Sequence, residues 1–242
     1  MSNHNQIINN LDIDIYADGA DIKNIELLNE LDYIKGFTTN PTLMRQSGIE
    51  NYKNFAIEFL SIVKKKPISF EVFADDLDEI YNQALKISDW GDNIFIKIPI
   101  TNTQAKPCIE IIKKLNLKGV KCNVTAVFTY EQINDLFQDL DINTDLIISV
   151  FAGRIADTGI DPIPKIKNIA SIIEDYKKIK LLWASPREIL NIFHAIESKC
   201  DIITVPHPLL NKMNSLGKNL DQFSLETVQM FFKDAEASKY KI

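Results

Sequence analysis

The sequence is poor in the residues that build metal sites, disulfides and nucleotide loops, with three cysteines, three histidines and eight glycines. The cysteines are Cys108, Cys122 and Cys200. Their odd number and irregular spacing argue against a disulfide framework, and with scattered histidines they show no zinc-ligand spacing. We therefore predict no metal site and interpret Cys108 and Cys122 as small core residues. Neither of the glycine-rich phosphate loops typical of nucleotide-binding proteins is present.

Long apolar runs and excess positive charge are also missing. No run approaches the roughly 20 residues of a membrane-spanning helix, so we expect no membrane association. The N-terminal segment MSNHNQIINN is polar and lacks the features of a signal peptide, which predicts a cytoplasmic protein. The net charge of −6 and the pI near 5.2 argue against nucleic acid as a partner. Any anionic ligand must therefore be bound by a few local cations.

The chain instead shows a regular alternation of short apolar strands and amphipathic helices. Predicted strands span residues 13–18, 34–39, 68–73, 94–99, 120–125, 146–151, 180–185 and 201–205. Predicted helices span residues 22–31, 50–65, 76–88, 104–116, 129–138, 163–178 and 186–198. Caps and prolines at helix starts support these limits. They are Asp75 or Asp76, Thr103 with Pro107, Pro162 and Pro164, Pro186 at the first helical position, and Ser224 before a last helix at 224–237.

Eight such units in about 240 residues predict a single (β/α)₈ TIM barrel domain, residues 1–242, with an additional C-terminal helix. A doubly wound open sheet is the alternative, but no glycine-rich fingerprint follows the first strand. The last helix could cover the barrel mouth, contact a neighbouring subunit or close the bottom layer.

Lys97 stands in the middle of the apolar run Ile94–Ile100, which is typical of a strand buried on both faces. Because a charged amine is costly to desolvate, burial favours the neutral form, a nucleophile able to form a Schiff base with a carbonyl substrate. The alternative is a lysine at a strand end whose ammonium group reaches water.

Other polar residues lie at or near the C-terminal ends of the predicted strands, where a barrel carries its active site. Each has a structural alternative: Asp18 precedes a turn glycine, Asn40-Pro41 suits a turn and Ser185-Pro186 a helix start, Glu71 suits an ion pair, and Arg154 suits a solvated loop. Together, however, they would place a lysine, two carboxylates, two asparagines and several hydroxyls at one barrel mouth.

The segments YADGAD, GFTTNPT, FEVFADD, IFIKIPIT, CNVTAVFT, ISVFAGRIAD and WASPREI, in this order, resemble the transaldolase family. That family comprises (β/α)₈ barrels that act through a Schiff-base lysine, and it includes transaldolases and fructose-6-phosphate aldolases. The resemblance implies catalytic roles for four residues: Lys97 as the Schiff-base lysine, Asp18 as the acid/base at the C4 hydroxyl, and Glu71 with Thr125 as the pair that holds a catalytic water. It implies substrate binding by Thr39, Asn40, Asn123, Ser149, Phe151, Arg154, Ser185 and Arg187, with Ser185 and the two arginines at a phosphate site.

The resemblance implies transfer of a dihydroxyacetone unit from a ketose phosphate, sedoheptulose 7-phosphate or fructose 6-phosphate, to an aldose phosphate in the pentose phosphate pathway. No cofactor is implied, the partners are small-molecule sugar phosphates, and a homo-oligomer is possible. Glu71 and Phe151 favour a transaldolase, since the aldolases carry Gln and Tyr there. Reversible aldol cleavage and a non-catalytic sugar-phosphate-binding barrel are the alternatives. Trp183 is interpreted as filling the barrel core, with substrate contact as the alternative.

Overall fold

The computed structural model describes residues 7, 8, 10–137 and 144–238. Eight parallel strands close into a barrel in which each strand pairs with its neighbours in chain order and the eighth pairs with the first. The predicted (β/α)₈ fold is therefore confirmed. The strands are β1 Asp14–Asp18, β2 Ile34–Thr38, β3 Ile68–Glu71, β4 Ile94–Pro99, β5 Cys122–Val127, β6 Leu146–Val150, β7 Ile179–Trp183 and β8 Ile202–Pro206.

The strand predictions are correct to within two residues at each end. Strands buried on both faces carry apolar residues at successive positions, so short runs rich in β-branched residues strongly indicate such strands in the sequence. Because side chains alternate, one set on each strand points into the barrel and the other packs beneath the helices. Tyr16, Ile147, Leu182, Ala184 and Ile202 form a buried cluster inside the barrel.

Helices connect successive strands. Several of them begin at or next to the predicted residue, and some of the predicted caps are observed. The described α-helices between β1 and β8 are Ile22–Asn29, Pro41–Gln46, Tyr52–Ile62, Leu77–Ser88, Ile109–Leu117, Glu131–Asn134, Ala152–Ala156, Pro162–Ile173 and Leu190–Glu197. His207–Leu210 follows β8, then a 3₁₀ turn at Asn211–Ser215 and the helix Leu220–Ser238. Asp76 accepts hydrogen bonds from the Asp78 and Glu79 amides, so it is the predicted cap. Pro162 opens its helix after the cap Asp161.

Several helix limits were predicted wrongly. The helix predicted at 104–116 begins at Ile109, because Ala105 has φ +59° and Thr101 bridges Pro107 across a turn. The helix predicted at 186–198 begins at Leu190, so Pro186 lies in a loop and not at a first helical position. The last helix begins at Leu220, ahead of the predicted Ser224.

The remaining differences concern other helix ends and two short helices. The helix predicted at 163–178 spans Pro162–Ile173, so it ends five residues early. The helix predicted at 129–138 spans Glu131–Asn134, and residue 138 lies outside the described residues. The short helices Pro41–Gln46 and Ala152–Ala156 were not predicted, since each has too few residues to show a 3.6-residue period.

Tyr16 explains a glycine inside the barrel. A Cβ atom at Gly36, on the neighbouring strand, would lie 2.5–2.7 Å from three atoms of the Tyr16 ring. Tyr16 pairs in register with Gly36 on one side and Thr204 on the other, and it is buried. The ring therefore occupies the space that a side chain at residue 36 would need, directly below the C-terminal end of β1.

The three cysteines are free and buried, as expected for Cys108 and Cys122. Burial raises the pKa of the Cys108 thiol to about 11 and that of Cys122 to about 12. Burial also raises the pKa of Cys200. The thiols are therefore neutral near pH 7 and poor nucleophiles.

The chain divides into two compact units. Of the described residues, those from 12 to 210 form one unit, which holds the barrel, and those before 12 and after 210 form a second, which includes the helix Leu220–Ser238. The assignment of residues 1–242 to one domain stays a prediction. None of the helices in the described part of the chain has the length and apolarity needed to cross a bilayer.

Candidate active site

A cavity of about 460 Å³ opens at the C-terminal ends of the strands. All four predicted catalytic residues line it, together with most of the predicted binding residues. The lining residues include Asp18, Thr38, Asn40, Glu71, Lys97, Thr125, Ser149, Phe151, Arg154, Ser185 and Thr204. Such a position suits an active site, because the loops that follow the strands meet there.

Lys97 is the amine at the floor of this cavity. Lys97 is only 8% exposed, so its ammonium group does not extend into bulk water. The alternative interpretation, a lysine at a strand end, required that it did. Nζ donates a hydrogen bond to the Thr39 carbonyl oxygen at 3.0 Å and lies 3.3 Å from Oε2 of Glu71. Glu71 and Lys97 are register partners on β3 and β4, which places a carboxylate beside the amine. A base is thus available to take a proton from Lys97.

Asp18 ends β1 and faces the same cavity. Withdrawal from water raises the pKa of Asp18, while the positive charge of Lys97 and a hydrogen bond from Thr38 lower it by smaller amounts. The Thr38 hydroxyl donates to Oδ1 of Asp18 at 2.7 Å. A raised pKa makes the ionised carboxylate a better proton acceptor than an exposed aspartate, and the proton that it takes can be returned in the reverse step.

Thr125 lines the cavity and has a buried hydroxyl group. Its Oγ1 atom has no hydrogen-bond partner among the described residues, although buried hydroxyls are normally paired. Thr125 pairs in register with Pro99, two residues beyond Lys97. Ala126, which follows, has φ +58°, and the pairing of β5 with β6 shifts between Val124 and Val127. Alternation along β5 places Thr125 on the inward face with Asn123, so a ligand oxygen or a water is a suitable partner for its hydroxyl.

The two predicted asparagines differ in their surroundings. Asn40 lines the cavity, and its side-chain oxygen caps the helix Pro41–Gln46 by accepting the Leu43 amide, so its side-chain nitrogen is the group able to donate to a ligand. Asn123 is fully buried below the cavity and donates to Oγ of Ser69 at 2.9 Å. The Ser149 hydroxyl, which does line the cavity, donates to Oδ1 of Asn123 at 2.7 Å. Asn123 therefore orients Ser149.

Thr39 differs from its predicted position. Its hydroxyl donates to the Ser69 carbonyl oxygen, and Thr38 lines the cavity in its place. Alternation explains the difference, because Thr38 shares the inward face of β2 with Gly36. Thr39 still contacts Lys97 through its main-chain oxygen.

One wall of the cavity is positively charged. The Arg154 guanidinium lies 5.3 Å from the centre of the Phe151 ring, a cation–π distance. A Cβ atom at Gly153 would lie 1.6 Å from the Ser185 carbonyl oxygen, so only glycine permits this close approach of the two loops. Ser185 itself has φ +62°. The contact brings Arg154 and Ser185 to the same side of the cavity, where a phosphate group can bind.

Arg187 does not join them at the cavity wall. Its guanidinium forms a two-pronged ion pair with Asp157, in which Nε donates to Oδ1 at 3.1 Å and Nη2 donates to Oδ2. The hydrogen bonds from Arg187 hold the pKa of Asp157 below its usual value. Because the following helix begins at Leu190, Arg187 lies in a loop. Of the three residues predicted at the phosphate site, Arg154 and Ser185 line the cavity and Arg187 does not.

Trp183 is buried, as predicted, but it packs between the barrel and the helices and does not fill the barrel interior. It is 1% exposed and its ring lies 6.3 Å from the ring of His194, on the helix Leu190–Glu197. Its neighbours Leu182 and Ala184 belong to the cluster inside the barrel, so Trp183 points outward beneath the helices. It does not narrow the cavity.

Three hydroxyl residues near the site were not assigned a role from the sequence: Thr38, Ser69 and Thr204. Each lies in a short apolar strand, the pattern that identified Lys97, and each is buried. The same rule applied to the run Ile202–Val205 would have selected Thr204. No cluster of three or more histidine, cysteine or acidic residues suited to a metal occurs among the residues that the structure describes.

The sequence is similar to known proteins over most of its length. Residues 15–242 match the family model described as transaldolase/fructose-6-phosphate aldolase. A "Probable transaldolase" from Dehalococcoides mccartyi is 34% identical over 200 residues, which cover 82% of this chain and 89% of that protein. Another from Carboxydothermus hydrogenoformans is 34% identical over 228 residues, which cover 94% of this chain and 100% of that protein.

Solved structures support the fold. A 2,3-dimethylmalate lyase of the PEP mutase/isocitrate lyase superfamily aligns with a TM-score of 0.55 and 11% identity, over 97% of this chain and 87% of that one. Dihydrodipicolinate synthase from Rhodopseudomonas palustris aligns with a TM-score of 0.50 and 11% identity, over 92% and 79%. At these identities the likeness concerns the barrel alone.

Proposed function

The chain belongs to the transaldolase/fructose-6-phosphate aldolase family, and we propose from this that it transfers a dihydroxyacetone unit between sugar phosphates through a Schiff base on Lys97. The observation that carries the proposal is the placement of Lys97, 3.3 Å from Glu71, in the cavity that also contains Asp18. An amine, two carboxylates and an arginine at one barrel mouth supply the groups that the reaction requires.

Formation of the Schiff base begins with loss of a proton from Lys97. Glu71 is placed to accept it, and the neutral amine adds to the C2 carbonyl of the ketose phosphate to form a carbinolamine. The carbinolamine then loses water as the protonated imine forms. Thr125, which lines the cavity and whose buried hydroxyl has no partner among the described residues, is the residue that we assign to this water.

Cleavage then breaks the C3–C4 bond. Asp18 takes the proton of the C4 hydroxyl, an aldose phosphate leaves as the aldehyde, and the electron pair of the broken bond moves into the enamine. The enamine carbon attacks the carbonyl of an acceptor aldose phosphate, and Asp18 returns its proton to the new hydroxyl. Hydrolysis of the imine releases the product ketose phosphate and the free lysine. The raised pKa of Asp18 suits both directions of proton transfer.

Recognition of the substrate divides between the two ends of the cavity. We assign the hydroxyls of the three-carbon unit to Asn40 and Ser149, and the phosphate to Arg154 with Ser185. A guanidinium provides directed, charge-assisted hydrogen bonds to phosphate, which a chain of net charge −6 must supply locally. Such a transfer would place the enzyme in the pentose phosphate pathway. Assembly into a homo-oligomer stays a prediction.

The second candidate is aldol cleavage without an acceptor. Phe151 lines the cavity with a ring that has no hydroxyl, and Glu71 is a carboxylate. The family resemblance implies Tyr and Gln at these two positions in the aldolases. A site with Phe in place of this Tyr lacks the tyrosine hydroxyl, so it is less suited to hydrolysing the intermediate before an acceptor arrives.

The test measures release of glyceraldehyde 3-phosphate from fructose 6-phosphate in an NADH-coupled assay, with and without erythrose 4-phosphate. A transferase requires the acceptor, and we expect release only when it is present. Equal release in its absence would identify an aldolase. The proposal would be contradicted if fructose 6-phosphate with erythrose 4-phosphate released no glyceraldehyde 3-phosphate and sedoheptulose 7-phosphate as donor consumed none.

A further inference from the structure

Two threonines form a hydrogen-bonded chain behind Asp18. Thr38 on β2 and Thr204 on β8 stand on the strands that flank β1, and their hydroxyl oxygens lie 2.5 Å apart. Thr38 also lies 2.7 Å from Oδ1 of Asp18. Both threonines are buried, with exposed fractions of 2% and 6%. Hydroxyls so placed are committed to each other rather than to bulk water.

The direction of these hydrogen bonds follows from the chemistry of the three groups. An ionised carboxylate only accepts hydrogen bonds, so the Thr38 proton must point to Asp18. A hydroxyl has one proton, and Thr38 therefore has none left for Thr204. The short contact between the threonines is then a hydrogen bond that Thr204 donates to Thr38. The chain runs in one direction, from Thr204 through Thr38 to the carboxylate.

We infer that Thr204 is a positioning residue for Asp18, which acts through Thr38 to favour the ionised carboxylate that accepts the substrate proton. Donation by Thr204 polarises the Thr38 hydroxyl and strengthens its bond to Asp18, because hydrogen bonds in a chain reinforce one another. The catalytic meaning rests on the proposed function, whereas the coupling of Thr204 to Asp18 does not.

The chain also links the protonation of Asp18 to the cavity. When Asp18 carries a proton it can donate to Thr38, which can then donate to Thr204. Thr204 then no longer donates to Thr38. Because Thr204 lines the cavity, its hydroxyl can instead donate to a ligand oxygen. Capture of the substrate proton at Asp18 would thus change Thr204 from an acceptor to a donor on the cavity side.

Other charges around Asp18 define the background for a test. Lys97 on β4 favours the ionised form, and Glu71 and Arg154 share the same cavity. A second cavity on the other side of Asp18 is lined by Asp21 and His207. These groups stay in place in every threonine variant below, so a change in the titration of Asp18 reports the threonines.

The experiment follows the Asp18 carboxyl carbon by ¹³C NMR during a pH titration of the free protein, with Asp18→Asn to assign the signal. Thr204→Val preserves shape and removes the hydroxyl. We expect it to raise the pKa of Asp18 by a few tenths of a unit, and Thr38→Val to raise it by about one to two units. Thr204→Ser keeps a donor and should leave the pKa near that of the wild type.

The double variant Thr38→Val/Thr204→Val decides the route. If Thr204 acts through Thr38, the double variant should titrate like Thr38→Val alone. Additive shifts, or an unmoved pKa in Thr204→Val, would overturn the inference. Thr204→Ala provides the same comparison if the valine variant does not fold. A merely structural residue would lower stability without moving this titration.

The acid limb of kcat/KM against pH provides the second readout, because it reports the free enzyme. It should move upward in Thr204→Val by the same amount as the NMR titration. The expected NMR shifts without acceptor-dependent release would leave the coupling intact and refute the proposed function. Acceptor-dependent release with an unmoved titration would do the reverse.

Discussion

Replacement of Gly36 by alanine tests how the barrel interior supports the site. The new methyl group would lie 2.5–2.7 Å from three atoms of the Tyr16 ring, whereas carbon atoms pack at about 3.5–4.0 Å. The ring would have to move by about 1 Å, against a cluster that includes Ile147, Leu182 and Ile202. Overpacking of this kind costs about 1–3 kcal/mol.

For a protein of this size each kcal/mol lowers the unfolding midpoint by about 2–4 °C, so we expect Gly36→Ala to lower it by roughly 2–12 °C. Urea unfolding should show a lower midpoint with an unchanged m-value. Catalytic efficiency should fall as well, since Tyr16 lies two residues before Asp18 and pairs in register with Thr204.

A matched control exists at Gly19, where a Cβ atom would meet nothing within 4 Å. Gly19→Ala should be neutral or slightly stabilising, because alanine lowers the entropy of the unfolded chain. Tyr16→Leu should make Gly36→Ala less costly, so the double variant should lose less stability than the sum of the two single changes. Wild-type stability of Gly36→Ala, or strict additivity, would refute this account.

Three further outcomes follow from the site and the core. Folding raises the pKa of Asp18, so its contribution to stability is present below its unfolded pKa and is lost as the pH rises through its folded pKa. Asp18→Asn should therefore raise the thermal unfolding midpoint at pH 7 relative to wild type. This gain should shrink toward pH 3. Arg154→Met should raise KM for a phosphorylated acceptor by about 10–100-fold and spare an unphosphorylated aldehyde, while Arg187→Met should change it less; equal effects would place both arginines on the phosphate. Because burial raises the pKa of Cys108 to about 11 and that of Cys122 to about 12, iodoacetamide at pH 8 should label them only after unfolding, and rapid labelling of the native protein would contradict their burial.

The fold was predictable because its signal is repeated along the chain. Each buried strand is a short apolar run, and each was found to within two residues. Helix starts in loops were less predictable, since Pro186 and Pro107 suit either a first helical turn or a loop. Tertiary contacts decided between them, such as the bridge between Thr101 and Pro107.

The candidate site divides in the same way. Lys97, Asp18, Glu71 and Thr125 were identified from residues on strand ends and from the family resemblance, and the structure brings them to one cavity. Contacts between distant residues were not predictable. The pairing of Arg187 with Asp157 depends on how two loops meet, and the outward direction of Trp183 depends on register at the end of β7.

The same limit applies to the hydroxyl chain behind Asp18. Thr38 and Thr204 are 166 residues apart in sequence, and only closure of the barrel between β8 and β1 brings their oxygens together. A polar residue inside an apolar strand marks each as unusual, but its partner is set by strand order and register. Sequence patterns of this kind therefore identify candidates, and the closed barrel determines which of them act together.

The most direct test of the account is reduction with borohydride in the presence of fructose 6-phosphate, followed by mass spectrometry of the digested protein. We predict that one reduced three-carbon unit is attached to Nζ of Lys97, and that Lys97→Met abolishes the labelling. A protein that remains unlabelled under conditions of turnover, or that carries the label on another lysine with Lys97 unmodified, would contradict the Schiff-base assignment.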